Sequence, residues 1–160
     1  MCIRDRERAD DPWTFLAACD EYYHCVIECD RNYTNLPVAV DATCSGLQIL
    51  AGLARDENTA KLVNVFPSKR PQDAYKVIAD EAKPHVPVHL QPYMDRKTTK
   101  RTVMTVPYNA KPFSNRGYIR EALAEKGVEV EKEDLTAVVK AVRDAMNVIV
   151  PGPMLSLIHI

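Results

Sequence analysis

Two short stretches of this sequence carry residue types and spacings that could do chemistry. The first is Asp41-Ala42-Thr43-Cys44-Ser45-Gly46, an aspartate followed by small residues. It comes directly after Leu36-Pro37-Val38-Ala39-Val40, a short apolar run that reads as a buried strand. An acid at the end of such a strand is held facing a cleft, where its carboxylate can take a metal ion; it can equally cap the helix that follows. The second is Arg96-x-x-x-Lys100-x-x-x-Met104-x-x-x-Tyr108. Residues four apart share one helical face, so these four would line one groove. Lys100 offers a compact charge for a phosphate and Arg96 a planar fork for another, while Tyr108 offers an aromatic face and a hydroxyl. The same spacing also suits an ordinary amphipathic helix with solvated cations and two core residues.

Further basic residues surround the second stretch. Lys97, Lys100, Arg101, Lys111, Arg116 and Arg120 occur with no acid between Asp95 and Glu121, a run that could face phosphates or simply be a solvated surface. The chain as a whole is not basic, with a net charge of -1 and pI ≈ 6.4. Over its 160 residues it is 46% hydrophobic and 27% charged, a globular balance that can bury a core. Cys19, His24, Cys25 and Cys29 lack a paired C-x-x-C knuckle and fall within one helical stretch, which argues against zinc. No long apolar span or secretory segment is present, so no membrane partner is expected, and reduced thiols are the default. No G-x-x-x-x-G-K-[ST] loop or G-x-S-x-G elbow supports an NTPase or a hydrolase.

The elements that must position these residues are mostly helices. Asp11-Pro12 opens a helix that runs to about Asp30, and Cys44 to Ala54 forms another with Leu47, Leu50 and Leu53 on its apolar side. Pro67 to Pro71 breaks the chain before a helix over Tyr75 to Ala82, and Lys83 to Tyr93, with its three prolines, reads as a loop. A helix follows over Asp95 to Val106, bent or stopped by Pro107. A short one runs after Asn115 and closes at Gly127, and a last one carries Leu135, Val138, Val139, Val142 and Met146 up to Pro151-Gly152-Pro153. The expected fold is α+β and predominantly helical.

Taken together the two stretches resemble a known family. Pro37 to Gln48 and Thr99 to Tyr108 are similar to the first and second polymerase motifs of the single-subunit RNA polymerases of phages and mitochondria, and Leu62 to Ser68 and Gln72 to Tyr75 resemble the fingers of the phage enzymes. The resemblance runs from about Leu36 to Arg120. It implies part of the palm and fingers of a right-hand polymerase, with residues 7–54 in the palm and 55–154 in the fingers. Asp41 then matches the family's first metal-binding aspartate, and the Ala42 carbonyl sits at a position that also touches metal. Lys100 matches the lysine that engages the incoming triphosphate and protonates the departing pyrophosphate. Tyr108 matches the tyrosine that closes over the insertion site and helps tell ribose from deoxyribose, while Arg96 and Arg101 match basic positions near phosphates. The implied reaction is attack of an RNA 3′-hydroxyl on the α-phosphate of a ribonucleoside triphosphate, on a DNA template, with two Mg2+ ions. The implied parent is a monomer in the cytoplasm of an infected bacterium, or in a mitochondrion.

A related DNA polymerase is the nearest alternative, but those enzymes place a glutamate where this chain has Gly46 and an aromatic residue where it has Met104. Both differences leave room for a ribonucleotide. A non-enzymatic nucleic-acid-binding module is the second alternative. The family's second catalytic aspartate, in a His-Asp-Ser hairpin, is absent from these residues, so the chain by itself is expected to be inactive. Asn109 stands where the family has glycine, so the turn after Tyr108 is expected to differ. One stretch of DNA, CTG TCT CTT ATA CAC ATC, encodes residues 155–160, and its reverse complement encodes Met1-Cys2-Ile3-Arg4-Asp5. Residues 1–6 and 155–160 therefore read as remnants of a sequencing adapter flanking an internal segment of a longer protein.

Overall fold

The computed structural model describes residues 8–37 and 42–159, with side chains as far as Ser156. They fall into two compact units that divide between Asp41 and Ala42. In the first, Asp11 caps helix α1 (Pro12–Tyr22), its carboxylate accepting from the Thr14 backbone N–H at 3.1 Å and the Thr14 hydroxyl at 2.8 Å. α1 runs into a wider turn over Tyr23–Ile27, and the helical stretch stops at Cys29, whose φ of 53° lies in the left-handed region. None of the residues of α1 is buried. The Cys25 thiol donates to the Tyr33 carbonyl at 3.3 Å, and among the described residues no three His, Cys, Asp or Glu side chains converge on a metal position. The expected strand falls largely on residues 38–41, outside the described residues, as does Asp41 itself. Among the described residues no strand occurs, and the expectation of a predominantly helical fold holds.

The second unit is built from seven helices among the described residues: α2 (Ser45–Ala54), α3 (Glu57–Leu62), α4 (Ala74–Ala82), α5 (Arg96–Thr105), α6 (Pro112–Ala124), α7 (Lys132–Ile149) and α8 (Pro151–His159). α7 forms its spine. Leu135, Val138, Val142 and Met146 recur at three- and four-residue steps and are fully buried against α4, α5 and α6. Ile78 from α4, Val103 from α5 and Ile119 and Leu123 from α6 complete that core. Burial of such side chains contributes on the order of 1.5–3 kcal/mol each.

Three elements differ from the pattern read in the sequence. In α2, Leu47 and Leu50 are buried but Leu53 is exposed, and Ala51 takes its place in the core. Two steps of three residues turn back by about 120° around a helix, whereas one step of four returns within about 40° of Leu47. The short helix α3 was not anticipated; its signal is Asp56, whose carboxylate accepts from the Thr59 N–H at 3.1 Å and the Thr59 hydroxyl at 2.6 Å. The stretch from Lys83 to Tyr93 is not plain loop but two tight turns, Lys83–His85 and Val88–Tyr93, with Leu90 fully buried. Pro112 and Pro151, which look like stops, stand at the starts of α6 and α8, where a missing N–H costs nothing. Among the described residues no helix is long and apolar enough to cross a membrane.

Candidate functional site

Residues 43–46 of the first stretch meet the second stretch at the two ends of α5. At its N-terminal end Arg96 lies with Thr43, Cys44, Asp73 and Tyr75 around a cavity of about 280 Å3. The Arg96 guanidinium is fixed there by Asp73, Nε to Oδ2 at 2.7 Å, and stands 5.4 Å from the centre of the Tyr75 ring. Tyr75 in turn donates from its hydroxyl to the Thr43 carbonyl at 3.2 Å, and Gln48 donates to the Thr43 hydroxyl at 3.3 Å. The backbone directly after Asp41 is therefore tied to α2 and α4.

At the other end the chain leaves α5 through a tight turn, Val106–Tyr108, that Pro107 is suited to start. Tyr108 is 65% exposed, and its hydroxyl lies 3.2 Å from the Ser45 hydroxyl. Its ring packs over Gly46: a Cβ there would sit 2.9 Å from the Pro107 Cβ and 3.2 Å from the Tyr108 Cζ. Asn109 follows with φ 66°, in the left-handed region that asparagine and glycine both tolerate.

Between these two ends lies the exposed face of α5. Thr98, Thr99, Thr102 and Val103 are buried, which turns Arg96, Lys97, Lys100, Arg101 and Met104 outward. Met104, at 43% exposure, and Tyr108 are thus not core residues. Three of the four cations on this helix are already paired: Arg96 with Asp73, Lys97 with Glu125 at 2.8 Å, and Arg101 with Glu121. Arg101 also stacks on Tyr118 at 4.5 Å, turned toward α6. Lys100 makes no hydrogen bond or ion pair with any described residue, and it lies between the Arg96 and Tyr108 ends of the ladder. The basic run is accordingly balanced on one flank by Glu121 and Glu125 and open at Lys100. The contributions of Ser45, Asp73, Tyr75 and Gln48 were missed in the sequence. Ser45 and Gln48 lie inside the first motif, and Asp73 and Tyr75 inside the fingers-like stretch, but nothing in their spacing says which neighbour each meets.

Residues 5–153 match the profile of the DNA-dependent RNA polymerases. The chain belongs to that family. The mouse mitochondrial DNA-directed RNA polymerase is 37% identical over 129 residues, covering 73% of this chain and 11% of that protein. The DNA-directed RNA polymerase of Enterobacteria phage K11 is 30% identical over 156 residues, covering 75% of this chain and 17% of that protein. A chloroplastic/mitochondrial DNA-directed RNA polymerase of Nicotiana tabacum is 32% identical over 145 residues, with 79% and 14% covered. The chain thus spans between a tenth and a fifth of the length of these relatives.

Proposed function

We propose that this chain is the palm-and-fingers segment of a DNA-directed RNA polymerase, a nucleotidyltransferase that joins ribonucleoside triphosphates on a DNA template. The observation that carries this reading is the convergence of residues 43–46 with α5 and its closing turn, beside a lysine, Lys100, that makes no ion pair among the described residues. Residues 7–54 supply palm and 55–154 supply fingers, of a hand that is α+β as a whole. α2 packs with the turn that carries Tyr108, which supports an insertion site near their junction.

In this reading Lys100 presents its ammonium to the triphosphate, with no carboxylate among the described residues paired to it. Arg96 and Arg101, held by Asp73 and Glu121, keep positive charge beside it without collapsing onto the phosphates. Tyr108 lies beside the sugar, its ring resting on the bare backbone of Gly46, where the glutamate of a DNA polymerase would not fit. Asp41 and the Ala42 carbonyl are hard oxygen donors that suit Mg2+, and they are two donors of the octahedral shell it requires. When bound, the metal would neutralise charge on the phosphate oxygens. The DNA template, nascent RNA and ribonucleoside triphosphates are the partners, and the parent acts as a monomer. The cytoplasm of an infected bacterium is its place, with the mitochondrion as the alternative that its mitochondrial relatives support.

The test is extension of an RNA primer on a DNA template by a polymerase of full family length carrying this segment. Asp41→Asn and Lys100→Ala should each lower the rate by at least about a hundredfold, the scale seen when one charge-stabilising group is lost. Full activity in both variants would reject the reading.

A further inference from the structure

The loop that leads out of the Tyr108 turn is held by a side chain from a distant helix. Arg143, on α7, donates from Nη1 to the Ala110 carbonyl at 3.1 Å and to the Asn115 Oδ1 at 3.0 Å. Ala110 is two residues from Tyr108, and its own N–H donates to the Thr105 carbonyl at 3.2 Å. Both backbone groups of Ala110 are therefore committed, one to the end of α5 and the other to α7. Asn115 is fully buried on α6, and its Nδ2 has no partner among the described residues, so its fixed contact is the one from Arg143. Asn109 completes the loop, donating its N–H to the Val106 carbonyl at 2.8 Å and accepting from the Lys111 ammonium at 2.7 Å.

We propose that Arg143 is a positioning residue for Tyr108: through Ala110 it fixes the turn that lays the tyrosine ring over Gly46 and its hydroxyl beside Ser45. This rests on the polymerase reading above. Hydrogen bonds from a charged donor are the stronger kind, and removing this one strands two acceptors, the Ala110 carbonyl and the Asn115 amide oxygen. The turn would then keep its local bonds to Thr105 and Val106 and its contact with Ser45 and Gly46, but lose its tie to α7. Its exposed ring would lose the register that selects a sugar, while Lys100, a separate part of α5, would keep its place.

The experiment uses a polymerase of full family length carrying this segment, and compares kcat and KM for one ribonucleoside triphosphate and its 2′-deoxy counterpart. Arg143→Ala should lower the preference for the ribonucleotide by roughly tenfold, mostly through KM, as expected when a positioned group moves by a fraction of an ångström. Arg143→Lys, which keeps the charge, should fall between, and it carries the test if the alanine variant does not fold. Adding Tyr108→Phe to Arg143→Ala should cost little more than either alone, since both act on one ring. A preference left at the parent value in both Arg143 variants, even with a lower melting temperature, would overturn the proposal and leave Arg143 a packing residue. A Lys100→Ala enzyme that still adds nucleotides at the parent rate would instead sink the polymerase reading itself.

Discussion

Gly46 and Tyr108 approach so closely that no side chain fits between them, with the Tyr108 Cζ and Cε2 at 3.2 and 3.3 Å from where a Cβ on Gly46 would stand. The same helix offers a control, because a Cβ on Gly52 would meet nothing within 4 Å. Gly52→Ala should therefore stabilise the chain by up to about 1 kcal/mol through helix propensity. Gly46→Ala should lose that gain and destabilise by about 1–3 kcal/mol as Pro107 and Tyr108 are pushed outward. Urea denaturation of the two variants measures the difference. Equal stabilisation by both would mean that Tyr108 does not rest on α2 in solution.

Lys100 should separate binding from stability. It is exposed and makes no ion pair with the described residues, so Lys100→Ala should change the unfolding free energy by no more than about 0.5 kcal/mol. Its affinity for a ribonucleoside triphosphate, read by titration calorimetry, should fall at least about tenfold, the loss of one charged hydrogen bond. Lys97→Ala removes an equal charge from the same helix, but one already engaged by Glu125, and should leave that affinity within about a factor of two. Equal losses in the two variants would show that the triphosphate senses only the net charge of α5.

Asn109 tests the turn from the other side. Its φ of 66° is tolerated by asparagine and glycine and disfavoured for a branched residue. Asn109→Gly should be close to neutral, and Asn109→Val should cost about 1–2 kcal/mol in thermal or chemical unfolding. A neutral valine variant would mean the left-handed turn is not required.

The helices were legible wherever a cap or a stripe of apolar residues marked them. Asp11-Pro12 and the Leu135 to Met146 stripe mark α1 and α7 directly. What hid was structure whose cue is shared with its opposite. Pro151 terminates one helix and begins the next, and only the structure shows that both senses apply. The site divided along the same line. Arg96, Lys100 and Tyr108 share a four-residue spacing that lets the sequence propose them together, whereas Gly46 came only from the family resemblance. Arg143 and Asp73 act through contacts to residues 33 and 23 positions away, and no local pattern encodes such pairings.

Asp56 joins two distant parts of the second unit and should make its stability pH-dependent. Its carboxylate caps α3 and also accepts from the Gly152 N–H at 3.0 Å, tying the start of α8 to α3. Burial pushes its pKa up, but the hydrogen bonds from the Thr59 side chain and backbone and from Gly152 outweigh it, and the group lies below its ordinary value of 3.8. Asp95 is shifted in the same direction: burial raises it, and the hydrogen bonds from Lys126 and Thr98 more than compensate. A carboxyl with a lowered folded pKa binds its proton first in the unfolded chain, so the stability it contributes is complete above the ordinary carboxylate range. That stability is lost as the pH falls through the folded value. The melting temperature should thus be flat above about pH 5 and drop toward pH 3. Asp56→Asn should flatten that drop without removing it, because Asp95 still titrates. Asp56→Ala should cost about 1–2 kcal/mol at neutral pH, the usual loss of a helix cap. A melting profile for Asp56→Asn that keeps the full acid slope would show that the bonds from Thr59 and Gly152 do not lower the Asp56 carboxyl in solution.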